Sequence, residues 1–214
     1  MKDLSNYRKS YEKSELLETQ IPEDPINLFH KWFYEAEDLN AAEEVNAMTV
    51  TTIGLDGFPK ARVVLLKKFN EEGFIFYTNY NSEKGKAILN NPNVCLSFFW
   101  PTVERQIIIK GIAEKTAENI SDNYFASRPD GSKLGAIVSP QSEVIPNREF
   151  LEENLKQLEK EWEGKEILRP VHWGGFLVRP VEVEFWQGRP NRLHDRIRYQ
   201  LTNEYDWKIE RLSP

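Results

Sequence analysis

The chain has 214 residues and a mass of 25.1 kDa, a size typical of one domain with an extended terminal segment. Hydrophobic residues make up 40% and charged residues 29% of the chain, a balance that permits a packed core. The formal net charge of −6 argues against general nucleic-acid binding, but it leaves room for a local basic pocket that binds a small anion. The single cysteine, Cys95, excludes an intramolecular disulfide and a cysteine-rich zinc site.

The N-terminal 24 residues are polar and highly charged, and Pro22 and Pro25 interrupt regular structure around their end. We therefore predict an N-terminal arm over 1–24 and one folded domain over 25–214. The longest purely apolar runs, such as 63–66, are far shorter than the ~20 residues of a transmembrane helix. The first residues also lack the apolar core of a signal peptide, so we expect a soluble, cytoplasmic protein.

Hydrophobic periodicity and turn residues predict four helices and about nine strands. Four helices are predicted, beginning near Asn27, beginning near the N-cap Ser82, and over 117–127 and 147–162. The predicted strands are 47–53, 60–69, 74–78, 94–100, 105–114, 173–178, 183–186, 196–201 and 207–212. Residues 128–146 are predicted to form a polar linker.

Most of these strands are joined by short polar turns, of which Gly54-Leu55-Asp56-Gly57 is an example. Such turns favour antiparallel pairing, and the alternation of strands and helices expected of a parallel sheet is absent. We predict a mainly β (α+β) fold with flanking helices, in the form of a closed or partly closed antiparallel barrel.

Several common catalytic and binding motifs are missing. The sequence contains no G-x-G-x-x-G, no G-x-x-x-x-G-K-[ST] and no G-x-S-x-G. The three histidines, His30, His172 and His194, are too scattered to predict a metal site.

Cations stand out in an acidic chain where they cluster. Arg62 and Lys67 flank an apolar strand, and Lys84 lies at the start of the helix that follows Ser82, where a phosphate would be favoured. The alternative is a strand whose charged ends simply reach water. A second cluster, Tyr124-x-x-x-Arg128 with Ser132 and Lys133, could grip a phosphate, or its cations could compensate a helix C-terminus.

The densest cluster follows an aromatic strand end, Phe185-Trp186. It consists of Arg189, Arg192, His194, Arg196 and Arg198. An aromatic wall beside an Arg-His loop suits a flat, anionic, ring-shaped ligand, although a charged loop before a strand would also have this composition.

Together with their order along the chain, these stretches resemble the pyridoxine (pyridoxamine) 5′-phosphate oxidase family over about 200 residues. The matching segments are 62–67, 76–79, 104–106, 124–129, 141–142, 173–176, 184–188, 191–196 and 207–214. The resemblance implies an antiparallel split β-barrel that binds FMN at the interface of a homodimer. It also implies oxidation of pyridoxine 5′-phosphate or pyridoxamine 5′-phosphate to pyridoxal 5′-phosphate, with O2 as acceptor, H2O2 as product and ammonia released from the amine.

The resemblance also implies roles for individual residues. The implied FMN contacts are Arg62, Val63, Val64, Leu65, Leu66, Lys67, Tyr77, Thr78, Lys84, Gln106, Gln141, Ser142, Trp186 and Arg196. The implied substrate contacts are Arg8, Lys9, Ser10, Tyr11, Lys67, Tyr124, Arg128, Ser132, Arg192, Leu193 and His194. Among these, Arg192 and His194 are expected to orient the substrate ring at the catalytic centre, and Arg8-Lys9-Ser10-Tyr11 to cover it.

One position departs from the family pattern. Glu83 stands before Lys84 where the family often has arginine, and we expect Glu83→Arg to tighten FMN binding. Two other functions remain open at this point: another FMN split-barrel oxidase or flavin reductase, and a non-catalytic binder of FMN or pyridoxal phosphate.

Overall fold

The computed structural model describes residues 1–214. Its α-helices are Pro25–Asp38 (α1), Glu83–Asn90 (α2), Glu118–Ala126 (α3), Asp130–Val138 (α4) and Arg148–Glu161 (α5). Its strands are Ala47–Ile53 (β1), Pro59–Leu65 (β2), Lys68–Asn70 (β3), Gly73–Asn79 (β4), Asn93–Trp100 (β5), Arg105–Lys115 (β6), Trp173–Gln187 (β7), Asp195–Leu201 (β8) and Trp207–Arg211 (β9). Short 3-10 turns occupy Glu18–Gln20 and Pro190–Arg192.

The nine strands form one mostly antiparallel sheet in the order β2-β1-β5-β6-β7-β4-β3, with β8 paired to β7 and β9 to β8. Strand β7 pairs with β4 through Trp173–Val178 and with β8 through Glu182–Gln187. The expected mainly β fold with flanking helices is confirmed. None of the helices combines the length and the apolar character needed to cross a lipid bilayer.

The chain divides into two compact units. The first contains residues 1–50, 95–111 and 180–214. Its core forms because the apolar face of α1 packs on aromatic strand residues: the ring centroids of Phe29 and Phe98 are 5.2 Å apart, and those of Trp32 and Phe185 are also 5.2 Å apart. Helix α1 begins where Asp24 accepts a hydrogen bond from the N–H of Ile26, which places the proline at the first helical position.

The second unit contains residues 51–94 and 112–179. Helices α3 and α4 pack on the start of β7 through a buried cluster of Phe125, Leu134, Ile167 and Trp173. Helix α2 is capped by Ser82, whose hydroxyl accepts from the N–H of Gly85, as the sequence predicts. These two features fix the positions of Lys84, Tyr124 and Arg128, which the sequence singles out.

Three element predictions are wrong. The predicted linker 128–146 contains helix α4, whose two glycines weaken the helical signal; the burial of Leu134 against Phe125 and Trp173 stabilises it instead. The strands predicted at 173–178 and 183–186 form one strand, β7, and Pro180 lies between its two registers, where no ladder N–H is needed. The strand predicted at 60–69 is two strands, β2 and β3, separated by 66–67.

Candidate active site

A cleft of about 500 Å³ opens in the second unit. Residues of β2, β4, α2, α3 and the turn into α4 line it, because the Ser82 cap and the Phe125 cluster bring these elements together. The predicted site residues that line it are Val63, Val64, Leu65, Lys67, Tyr77, Thr78, Lys84, Tyr124, Arg128, Ser132 and Gln141. Residues from both predicted phosphate-binding groups therefore share one cleft.

The Lys84 ammonium is the most deeply buried cation of this cleft, in a residue that is 8% exposed. It donates to the hydroxyl of Thr78 at 2.9 Å and to Oε1 of Gln141 at 3.0 Å, and it lies 3.5 Å from the hydroxyl of Ser82. None of these partners carries a negative charge. A buried ammonium held only by neutral oxygens is costly unless an anion joins it.

Burial lowers the pKa of Lys84 from its ordinary value of 10.5 to about 8, and the nearby positive charge of Arg62 contributes further. A phosphate at this position would oppose both effects, because its negative charge favours the protonated form of the lysine. The N-terminus of α2 lies at the same place and favours an anion through its free N–H groups.

An aromatic stack forms one wall of the cleft. The rings of Tyr77 and Tyr124 are stacked with centroids 3.9 Å apart, and Trp173 lies parallel to Tyr77 at 5.6 Å. Gly175 on β7 permits this, since a Cβ there would lie 2.9 Å from the Tyr77 ring and 2.7 Å from the hydroxyl of Thr116. Burial raises the pKa of Tyr77, so its phenol stays protonated and able to donate a hydrogen bond.

Arg128 rests on this wall with its guanidinium 4.6 Å from the Trp173 ring centroid. Its Nη1 is buried and has no hydrogen-bond partner. Burial lowers the pKa of Arg128, the effect expected of a cation removed from water. A buried donor without a partner, in a residue that lines the cleft, indicates a position for an anion.

Arg62 also has a buried guanidinium nitrogen without a hydrogen-bond acceptor. Its Nη1 is buried without a partner, while its Nη2 lies 3.7 Å from the carboxylate of Glu83. Glu83 also forms an ion pair with Lys60. The carboxylate that departs from the family pattern is therefore the counterion of two cations on β2.

The first unit holds a separate aromatic group. Trp186, at the end of β7, lies 4.7 Å from the ring of His194, and Tyr11 packs against both at 5.7 and 5.8 Å. The structure thus brings together three predicted site residues that are up to 183 residues apart along the chain.

The position of the proton on His194 follows from one hydrogen bond. The backbone N–H of Arg189 donates to Nδ1 of His194 at 3.0 Å, so the neutral ring carries its proton on Nε2. Burial lowers the pKa of His194, and the positive charge of Arg192 lowers it further. Near neutral pH the ring is therefore a neutral Nε2–H donor.

Arg192 and Arg196 differ in how far they are already engaged. Arg192 is exposed, and its guanidinium takes part in no hydrogen bond or ion pair; it follows Asn191 in a pair of left-handed residues, with φ of 63° for Arg192 and 57° for Asn191. Two such residues in succession are strained, a feature that clusters at functional sites. Arg196, in contrast, is held by Glu184 through bonds of 2.8 and 3.1 Å.

The other predicted site residues lie outside these two groups or in other contacts. Leu66 is buried in the core, and Gln106 lies on β6. Ser142 lines a neighbouring cleft of about 470 Å³ with Glu83 and Gln141. In the arm, Arg8 donates to the carbonyl of Ser5, Ser10 to Glu12, and Lys9 pairs with Glu104; Leu193 is exposed.

Sequence reasoning missed three contributors to these sites. Trp173 was part of a matched segment, but only the structure shows it stacked beneath Arg128. Glu83 is singled out by the sequence as a departure from the family pattern, but only the structure shows that it pairs with Lys60 and Arg62. Glu104 gave no signal beyond its place in a matched segment, because its role depends on contacts with residues about 90 positions away.

Comparison with known families gives two consecutive matches. Residues 35–160 match the family model described as pyridoxamine 5′-phosphate oxidase. Residues 173–214 match the model described as pyridoxine 5′-phosphate oxidase C-terminal dimerisation region.

Individual relatives agree with these matches. The chain is 78% identical over 213 residues to a Flavobacterium johnsoniae protein named pyridoxine/pyridoxamine 5′-phosphate oxidase, with 100% of both chains covered. A protein of the same name from Nostoc sp. is 49% identical, with 99% of this chain and 98% of the relative covered. Among solved structures, PhzG from Burkholderia lata 383 in complex with tetrahydrophenazine-1-carboxylic acid is 28% identical with a TM-score of 0.86, covering 93% of this chain and 98% of that one. The expected split-barrel fold is thereby confirmed.

The depressed pKa of Lys84 predicts a specific dependence of stability on pH. Between pH 8 and 10.5 the unfolded chain holds the Lys84 proton while the folded chain has lost it. The free energy of unfolding should therefore rise with pH across this window, by on the order of 3 kcal/mol from this group. Lys84→Met should remove that rise. Urea denaturation of the anion-free protein at several pH values measures it.

The matched control is Lys86→Met, which removes an exposed lysine from the same helix. Its stability profile should follow that of the wild type. Profiles of equal slope for wild type and Lys84→Met would contradict the burial of a charged, uncompensated ammonium.

Proposed function

The chain belongs to the pyridoxine/pyridoxamine 5′-phosphate oxidase family, whose members are oxidoreductases that produce pyridoxal phosphate, and from this premise we propose how it works. It uses FMN to oxidise pyridoxamine 5′-phosphate or pyridoxine 5′-phosphate to pyridoxal 5′-phosphate. O2 is the electron acceptor and H2O2 a product, and the amine substrate, with one water, also releases ammonia.

The observation that carries this proposal is the buried Lys84 ammonium without an acidic partner. With the orphan Nη1 of Arg62 and the N-terminus of α2, it offers donors suited to the dianionic phosphate of FMN. Thr78 and Gln141 already fix the orientation of Lys84, so the donor needs little reorganisation when a phosphate arrives.

A second set of donors suits the substrate phosphate. Arg128 contributes its orphan Nη1, and Lys67, Tyr124 and Ser132 line the same cleft. Two phosphates, each largely dianionic at neutral pH, need separate groups of cations, and this cleft contains both Lys84 and Arg128. The Tyr77–Tyr124 stack then gives a flat apolar wall suited to an aromatic ring.

FMN, when bound, supplies the two-electron redox chemistry. The residues of this chain bind, orient and exclude water. His194 holds a proton on Nε2 and can donate it in a hydrogen bond to a substrate oxygen or nitrogen, while the free guanidinium of Arg192 orients the ring. Neither residue needs to remove a proton for this role.

We also propose that the enzyme is a homodimer with FMN at the interface. The expected FMN contacts fall in both units of the chain, with Lys84 and Gln141 in one and Trp186 and Arg196 in the other. The match of residues 173–214 to a dimerisation region supports the dimer. A C2 dimer could complete each site with residues of the partner subunit.

The direct test is to add pyridoxamine 5′-phosphate to the purified protein in air and to measure H2O2, pyridoxal 5′-phosphate and released cofactor. We expect H2O2 and pyridoxal 5′-phosphate in equal amounts. We also expect mass spectrometry to identify the released cofactor as FMN. Unphosphorylated pyridoxamine is the matched control and should react poorly, because it leaves the donors around Arg128 unsatisfied. If a nicotinamide cofactor reduced the bound FMN and pyridoxamine 5′-phosphate gave no peroxide, the protein would be a flavin reductase. If the protein bound FMN and turned over neither compound, it would be a carrier.

Arg192→Ala should lower kcat/KM by about 10- to 150-fold, the usual effect of losing a charge-assisted hydrogen bond. The absorption spectrum of bound FMN should be unchanged, because the role assigned to Arg192 is on the substrate. Arg192→Lys should recover only part of the loss, since a lysine keeps the charge without the planar fork. Steady-state kinetics measure this, and Arg148→Ala, which removes an exposed arginine on α5, is the control and should match the wild type. If Arg192→Ala also matched the wild type, Arg192 would have no role at the site.

Glu83→Gln should tighten FMN binding several-fold at low ionic strength. The substitution frees Arg62 and Lys60 from their counterion, so both attract the phosphate more strongly. Added salt should shrink the difference, because Glu83 is about half exposed and its interactions are screened. Fluorescence titration of the apoprotein at two ionic strengths measures this.

Glu143→Gln is the control, since Glu143 lines the neighbouring cleft with Glu83 but pairs with no cation. Equal affinities of Glu83→Gln and Glu143→Gln at low salt would mean that Glu83 does not limit phosphate binding. Compared with Glu83→Arg, the glutamine variant removes the negative charge without adding a third cation beside Lys60 and Arg62.

A further inference from the structure

We propose that Glu104 is the positioning residue that holds the Tyr11 segment, residues 7–13, against Trp186 and His194. The kinetic part of this inference rests on the function proposed above. The holding role itself rests only on contacts within the first unit.

The backbone of Glu104 is held by contacts that do not involve the arm. The residue adopts a left-handed conformation with φ of 58° in the turn between β5 and β6. Its carbonyl accepts from the N–H of Gly188 at 2.8 Å and from Nε2 of Gln187 at 3.2 Å. A glutamate in this strained region is uncommon and needs such support.

The side chain then points its carboxylate at the arm. Oε2 accepts from the backbone N–H of Glu12 at 2.8 Å and of Lys13 at 3.1 Å, and Oε1 lies 3.5 Å from the ammonium of Lys9. The side chain is only 2% exposed. All its polar partners belong to the Tyr11 segment, so release of that segment would leave the carboxylate to be solvated by water alone.

The segment held in this way carries Tyr11 next to the two anchored amides. Its ring packs against Trp186 and His194, two residues of the candidate site. Gly188 makes the approach possible, because a Cβ there would lie 2.8 Å from Cβ and Cγ of Tyr11. Glu104 and Gly188, which are joined by a backbone hydrogen bond, thus contact the same short stretch of chain.

The next part of the arm has its own anchors. Arg189 donates to the carbonyl of Ser14, and Asp195 accepts from the N–H of Leu16 at 3.0 Å. Arg211 donates to the carbonyl of Leu16 as well. Loss of the Glu104 carboxylate should therefore release residues 7–13 while 14–18 stay bound, with a hinge between Lys13 and Ser14.

The first test uses Glu104→Gln in the full-length protein and needs no turnover. The amide keeps the shape of the side chain but loses the charge, so the two backbone N–H groups that donate to Oε2 meet a weaker neutral acceptor, and an N–H₂ group replaces the oxygen that faces the ammonium of Lys9. We expect hydrogen exchange at the amides of Glu12 and Lys13 to accelerate by about tenfold or more. Trypsin should cleave after Lys9 and Lys13 faster by a similar factor, with the later lysines unaffected.

Two further variants keep this test decisive. Glu104→Asn tolerates the left-handed backbone and is too short to reach the arm, so it should behave like Glu104→Gln. Glu182→Gln removes a carboxylate that pairs with Lys110 and touches no arm residue, and it should leave exchange and cleavage unchanged. Wild-type exchange and cleavage in both Glu104 variants would overturn the proposal.

The second test asks whether the held segment serves the site. Glu104→Gln should raise KM for pyridoxamine 5′-phosphate severalfold with little change in FMN content. Deletion of residues 1–13 should have a similar effect, and the two changes together should be no worse than the deletion alone, because both act through one segment. Additive effects of the two changes, or a released arm with wild-type kinetics, would overturn the positioning role. A wild-type protein without oxidase activity would instead refute the proposed function. The exchange experiment would then still decide whether Glu104 holds the arm.

Discussion

The site depends on one electrostatic constraint: the Lys84 ammonium is buried among neutral oxygens and has no carboxylate to balance it. The fold creates this arrangement from local parts, since the Ser82 cap starts helix α2 and β4 places Thr78 beside it. Burial then lowers the pKa of the ammonium to about 8. A buried cation without a counterion is costly, and an anion beside it would offset that cost, which is the physical basis of the proposed phosphate site.

The neighbouring cations show the same pattern in different degrees. Arg62 is partly balanced by Glu83 yet keeps one buried N–H group without an acceptor, and Arg128 keeps another above the Trp173 ring. Unsatisfied buried donors are rare in folded proteins, because each one costs free energy. Two of them occur with Lys84 in the second unit of this acidic chain, and Lys84 and Arg128 line the same cleft.

The sequence predicts those features that depend on residues close together along the chain, and it misses those that depend on contacts between distant residues. The Ser82 cap, the Asp-Gly turn and the strand alternation are local signals, and the elements they predict are present in the structure. Helix α4 was missed because its stability comes from Leu134 packing on distant residues. Glu104 and the pairing of Glu83 were missed for the same reason: a single carboxylate has no pattern, and only the folded chain shows which cations or amides it meets.

If a phosphate of FMN binds beside the Lys84 ammonium, the pKa of Lys84 must change when FMN binds, and NMR of the lysine side chain measures that change. Lysine Cε and Nζ labelling, with Lys84→Met for assignment, would follow the titration of Lys84 in the apoprotein and in the presence of FMN. We expect a pKa of about 8 without FMN and a clear rise when FMN is bound. An ordinary lysine pKa in the apoprotein, or a low value that FMN leaves unchanged, would contradict it.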